Sequence, residues 1–196
     1  MSSHASYQPR VNRRAFSFVE FVLTTTVMLL LVGVVSTRSG NVTDAARSAE
    51  IVKLMEGLEQ AVEAYCEDTG ALPREYSGYQ GSTFHRLSKN SGVAGWDGPY
   101  VEAPIDRSWN PAGGQVHLYP TARHAVNEDY DLDCDGIPDV SREDACSISF
   151  WGIGEGLARR VDAALDEGVS SADWKDSGRV EFRPTEHLLS VMVHRR

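Results

Sequence analysis

The chain has 196 residues, 41% of them hydrophobic, 24% charged and 9% aromatic. These values suit one or two folded domains and exclude wholesale disorder, collagen-like repeats and a multi-span membrane bundle. Net charge is −9, and removing Arg10, Arg13 and Arg14 with the first fifteen residues leaves −12. No basic stripe then remains to neutralise phosphates, so nucleic acid is not an expected partner. The three cysteines, Cys66, Cys134 and Cys146, form no C-x-x-C pair, which argues against a zinc ribbon or a thioredoxin-like motif.

From Phe16 to Val35 the only ionisable side chain is Glu20. As a helix, these 20 residues reach roughly 30 Å, the thickness of a bilayer core. The arginines precede the run, so the positive-inside rule keeps the amino terminus cytoplasmic and sends the rest outward. A cleaved signal peptide is the competing reading, but its apolar region is shorter and its small cleavage-site residue follows the run. Here Ala15 comes before it. A carboxylate in such a span costs on the order of 2.5–3.5 kcal/mol and calls for a partner. A cut between Ala15 and Phe16 would supply one, because the new ammonium of Phe16 on a neighbouring subunit can pair with Glu20. Snorkelling of Glu20 to the surface is the simpler alternative.

At these residues the chain resembles a type IV prepilin or a type II secretion prepseudopilin. Arg13-Arg14 precede the cut, Ala15 stands where the family usually has glycine, Phe16 is the new first residue and Glu20 the fifth. The resemblance implies a leader over 1–15, a transmembrane half-helix over 16–36, an amphipathic half-helix over 37–70 and a globular head over 71–196. It implies an α+β pilin fold, a long amino-terminal helix packed on a small antiparallel sheet. Also implied are processing and methylation by a prepilin peptidase, assembly with other pseudopilins on an inner-membrane platform, and a periplasmic head.

After the polar exit from Ser36 to Asn41, the residues Ile51, Leu54, Met55, Leu58, Ala61, Val62 and Tyr65 recur at helical steps. Glu56, Glu59, Glu63 and Glu67 take the other side, Gly70 is a left-handed cap and Pro73 a breaker. Tyr65, Asp68, Gly70 and Pro73 resemble the family's Y-x-x-D-x-G-x-x-P helix end, with Leu72 at a position where an aromatic residue is common. Residues 71–126 are rich in turn formers and read as loops and short strands, among them 98–101 and 116–119. Trp96-Asp97-Gly98-Pro99-Tyr100, then Pro104, Asp106 and Trp109-Asn110-Pro111, are similar to segments of the major pseudopilin, although Arg107-Ser108 depart from them. This favours the secretion branch over the pilus branch.

Asp131, Asp133, Asp135, Gly136 and Asp139 have D-x-D-x-D-G-x-x-D spacing. Alternate carboxylates converge when such a loop curls, and Gly136 permits the sharp turn, so calcium is the natural ion. The carbonyl of Ile137 is a further ligand, with Asp129, Glu143 or Asp144 to complete the shell within 129–144. The competing reading is a solvated acidic turn. The segment resembles thrombospondin type 3 calcium loops and, less closely, EF-hand loops, because Arg142 stands at the bidentate-glutamate position. Cys134 and Cys146 bracket the loop as a disulfide candidate or as two free thiols, and Cys66 reads as a small buried residue.

Farther on, Leu157, Val161, Ala164 and Leu165 mark a short amphipathic helix with Gly168 as its cap, followed by strands near 179–183 and 187–193. These roughly fifty residues exceed a short major pseudopilin and favour a variant or minor subunit. His85, His117, His124 and His187 show no recurrent spacing, and no phosphate-binding glycine loop is present, so no enzymatic activity is expected. Two alternatives stand beside the secretion pseudopilin. One is a minor pilin of a type IV pilus, and the other a membrane-anchored calcium-binding module that never polymerises, for which 36–47 would be a flexible tether.

Overall fold

In the computed structural model, residues 18–126, 129–166 and 174–196 are described, the side chains of 33–39 and 41 excepted. The fold is α+β. Helix α1 covers Phe18–Thr69 and helix α2 Glu155–Leu165. The strands are β1 (Glu75–Tyr76), β2 (Val116–Tyr119), β3 (Ala145–Trp151), β4 (Val180–Arg183) and β5 (Leu188–Arg195). They form one antiparallel sheet in the order β1-β2-β3-β5-β4. Two compact units divide at Asn41/Val42, so the amphipathic part of α1 belongs with the sheet.

In the first unit, the side chains described from Phe18 to Val32 are almost all exposed, Phe18 at 80% and Leu29 at 73%. The three consecutive threonines do not break the helix, because each hydroxyl donates to a carbonyl one turn back. Thr24 reaches Glu20 O at 2.8 Å, Thr25 reaches Phe21 O at 2.9 Å and Thr26 reaches Val22 O at 2.8 Å. Such back-bonding leaves no free hydroxyl on an apolar helix. Among the described residues no helix is long and apolar enough to cross a membrane. The expected span begins at Phe16, outside the described residues, and ends in side chains that are likewise outside them.

In the second unit, the helical stripe is the core. Ile51, Met55, Leu58, Val62 and Tyr65 are buried to 1% exposure or less, while Glu56, Glu63 and Glu67 face solvent. Glu59 departs from that pattern: it is half-buried and pairs with Arg179. The helix stops at Gly70, whose φ of 65° is the left-handed conformation and whose N–H reaches Cys66 O at 2.8 Å. Ile148 and Phe150 of β3 lie in register with Leu118 and Val116 of β2 and with Val191 and Leu189 of β5, Cys146 lies opposite His194 of β5, and all three share this core.

The segments resembling pseudopilin motifs come together at the carboxy-terminal end of α1. The Tyr100 hydroxyl donates to Asp68 at 2.6 Å, its ring meets Tyr65 edge-on at 5.5 Å, and Trp96 Nε1 donates to Arg86 O at 2.7 Å. Residues 98–101 therefore form a bent brace and not a strand. Asn110 is buried and donates to Gln115 O and Trp151 O, tying its turn to β3.

The opposite face of the sheet is also covered. Segments 120–126 and 129–144 bring Ala122, Ala125, Tyr130 and Val140 onto Ala145 and Met192 in a second apolar cluster. Tyr130 Oη lies 3.1 Å from Ser190 Oγ, and Ser147 Oγ donates to Thr121 O at 2.8 Å. Burial on both faces explains why β2 and most of β3 show no alternation of exposure.

Candidate metal centre

The acidic loop is closed at its neck by one antiparallel bridge. Tyr130 N donates to Val140 O at 2.9 Å and Val140 N to Tyr130 O at 3.1 Å. Tyr130 anchors the neck because its side chain is fully buried, and that burial pushes its phenol far above the usual range. A second tether runs from Gly178 N to Asp131 O, 2.7 Å, just ahead of β4.

Inside the neck the chain wraps around its own carboxylates. Asp131 accepts from Gly136 N at 2.8 Å and Asp135 N at 3.2 Å, and Asp139 accepts from Leu132 N at 2.8 Å and Asp133 N at 3.3 Å. Gly136 has φ of 88°, which its lack of a side chain permits. Cys134 takes φ of 60° in the same curl.

Carboxylate oxygens of Asp131, Asp133 and Asp139 lie within 4.8 Å of one another, Asp131 half-buried and the other two exposed. Calcium–oxygen bonds of 2.3–2.6 Å fit such a spacing, and waters from the open side can supply the remaining ligands. The set offers only hard carboxylate oxygens, which suits calcium and disfavours zinc.

Three sequence expectations change here. Asp135 is not part of the convergent group, and its Oδ1 accepts from Ile137 N at 2.8 Å. Ile137 sits at the tip with its side chain 67% exposed. The outer-shell candidates lie outside the convergent group, Asp129 accepting from Arg142 N at 2.8 Å, Asp144 accepting from Ser141 Oγ at 2.7 Å, and Glu143 lying 4.0 Å from Arg142. The Cys134–Cys146 bridge is not formed. Both thiols are free, and Cys146 points from β3 into the main core, where burial pushes its thiol well up.

Of the assembly residues, Ala15 and Phe16 lie outside the described residues, as does Gly168. Glu20 is exposed in the first turn of α1.

Sequence reading missed Glu181. It is 1% exposed on β4, opposite Ser190. One oxygen accepts from Val126 N, and the other has no partner among the described residues. Burial, with Asp176 and Asp129 adding to it against the Val126 N–H and Arg183, pushes its carboxyl up to about 8. The available signal was an acid between Val180 and Phe182 in a strand pattern, a place for a solvent-facing residue unless something covers the sheet.

The chain matches no protein-family model, no curated protein and no solved structure.

Proposed function

We propose that this chain is a pilin-like filament subunit of the type II secretion pseudopilus kind, made as a precursor and cut between Ala15 and Phe16. The observation that carries the reading is the two-part character of α1. Its first part bears exposed apolar residues from Phe18 to Val32, and its second part lays one apolar stripe on an antiparallel sheet. The backbone is helical through Ser36–Arg47, which favours a filament over a module on a flexible tether. In the assembled state the apolar half-helices would bundle, with the Phe16 ammonium of one subunit pairing with Glu20 of another. Among the described residues, Asp131, Asp133 and Asp139 would hold calcium and fix the loop surface of the head.

The test is amino-terminal sequencing of membrane-extracted protein made alongside a prepilin peptidase. The expected terminus is Phe16, N-methylated. A mature terminus beyond Val35 would reject the reading in favour of a signal peptide.

A further inference from the structure

Near the β1 edge, the outer face of the sheet is not covered by the second apolar cluster and carries packed rings instead. Tyr76 lies 5.0 Å from Tyr119 and 5.9 Å from Phe84, and Tyr79 lies 5.0 Å from Phe84 and 5.8 Å from His117 between ring centroids. Tyr79 is 49% exposed, and Tyr76 and Phe84 are half-buried. Three arginines border the rings. Arg123 sits 5.8 Å over Tyr119, and Arg86 N donates to Arg74 O at 3.0 Å, which holds those two residues side by side. In a chain with 28 acidic residues, none of these three arginines pairs with a carboxylate among the described residues. The Nε atoms of Arg74 and Arg86 are buried without a hydrogen-bond partner among the described residues. Aromatic faces with unpaired guanidinium groups suit a ligand that brings carboxylates together with apolar surface.

The chain carries such a ligand at the other edge of its sheet. The acidic loop is tethered through Asp131 to Gly178, beside β4, whereas Arg74 and Tyr76 lie at β1. Four strand intervals of about 4.8 Å separate the two edges, roughly 19 Å. The loop therefore starts at the opposite edge of the sheet from Arg74 and Arg86 of its own head. Its tip presents Ile137, 67% exposed, between exposed Asp135 and Asp139. Asp135 stands outside the convergent metal cluster, so its charge is not consumed by a cation held there.

We propose that the aromatic and arginine face beside β1 of one copy receives the acidic loop 131–139 of a second copy, Ile137 seating against Tyr79 and Asp135, which stands outside the metal cluster, meeting the guanidinium groups of Arg74, Arg86 and Arg123. Because the two surfaces differ, the contact is head-to-tail and propagates instead of closing on a symmetric dimer. It deepens the filament reading and rests on it for its setting in the membrane.

The experiment uses the full chain in detergent, with Gln80→Cys introduced at an exposed position beside Tyr79 and native Cys134 as the second thiol, joined by a short bis-maleimide. The expected result is a ladder of dimers, trimers and higher species whose peptide map joins position 80 to Cys134. It should disappear with Cys134→Ser. Arg123→Glu should cut the ladder about tenfold, and mixing the Arg123→Glu chain with an Asp135→Arg chain should restore mixed dimers, as expected for a charge-steered contact. Both positions are exposed, so an unchanged tryptophan-monitored urea midpoint shows that each variant folds. Absence of an 80–134 product, or a dimer that persists with Cys134→Ser, overturns the proposal. Amino-terminal sequencing of the same sample reads the filament assignment separately. A ladder on an uncut chain removes that assignment and leaves the contact, whereas a Phe16 terminus without a ladder removes the contact alone.

Discussion

Glu181→Gln is expected to stabilise the head at neutral pH and to flatten its pH profile. The folded carboxyl titrates at about 8 and an ordinary glutamate at 4.5. Below pH 4.5 the group is protonated in both states, and its favourable contribution is fully present. Between 4.5 and 8 the unfolded chain releases the proton and the folded one keeps it, so the unfolded state binds fewer protons and stability falls as pH rises. The loss is complete above 8. At about 1.4 kcal/mol per pH unit the full drop is on the order of 4–5 kcal/mol, and roughly 3 kcal/mol has gone by pH 7. Glutamine cannot ionise, and its carbonyl can still accept from Val126 N.

All four tryptophans, at 96, 109, 151 and 174, lie in the sheet-bearing unit, so their fluorescence during urea unfolding reports on the head. Trp174 stacks on Phe182 at 5.9 Å, next to the substituted position. The advantage of the variant should grow from about zero near pH 4.5 to roughly 3 kcal/mol at pH 7. Burial holds His124 down to about 4, and burial together with Asp166 lifts Asp162 to about 6. These groups also give the wild type a pH dependence, but they are common to both proteins and cancel in the difference. Parallel profiles for the two proteins, or a variant less stable at pH 7, would refute a protonated Glu181.

Calcium at a hundredfold excess over Kd should stabilise the wild-type head by about 2.7 kcal/mol. Asp133→Ala should remove most of that gain without lowering the calcium-free melting temperature, magnesium should do less, and an unmoved wild-type melting curve would reduce the loop to an acidic turn. Glu75 is fully buried and accepts from Leu87 N at 2.8 Å, Ser88 N at 3.0 Å and His85 Nδ1 at 2.9 Å. Glu75→Ala would orphan all three, so a loss of about 3–5 kcal/mol is expected in the urea midpoint, and a loss below about 1 kcal/mol would mean that these donors find other partners.

The parts of this fold that could be read from sequence are those governed by local periodicity. The stripe from Ile51 to Tyr65, its stop at Gly70, helix α2 and strands β4 and β5 all follow from spacing and turn chemistry. What could not be read depends on partners distant in the chain. Tyr100 serves Asp68 from 32 residues away, so an apolar run that looks like a strand is bent into a brace. In the acidic loop the alternation of aspartates points to a curl, but the spacing alone does not reveal that Asp131, Asp133 and Asp139 converge while Asp135 stands apart. Strand β2 reads V-H-L-Y, and all four residues are buried because Val116 and Leu118 face the main core while His117 and Tyr119 are covered by the rings of Tyr76, Tyr79, His124 and Trp151, of which only His124 is near in the chain.

That covering layer also determines what a cation can do. The neck at Tyr130 and Val140 and the tether at Gly178 hold the loop by backbone bonds that need no metal. Three carboxylates are nevertheless kept within 4.8 Å of one another, where their mutual repulsion is only partly offset by the N–H groups of Leu132, Asp133, Asp135 and Gly136. A divalent cation would therefore meet a formed site and act mainly by relieving that repulsion, not by ordering a chain that is otherwise loose. The Gly178 tether connects the loop to the start of β4, the strand that carries Glu181, so charge placed on the loop and charge placed beneath it act on one layer. On this reading the head would keep its fold without calcium, and a bound cation would change only how firmly its acidic edge is held.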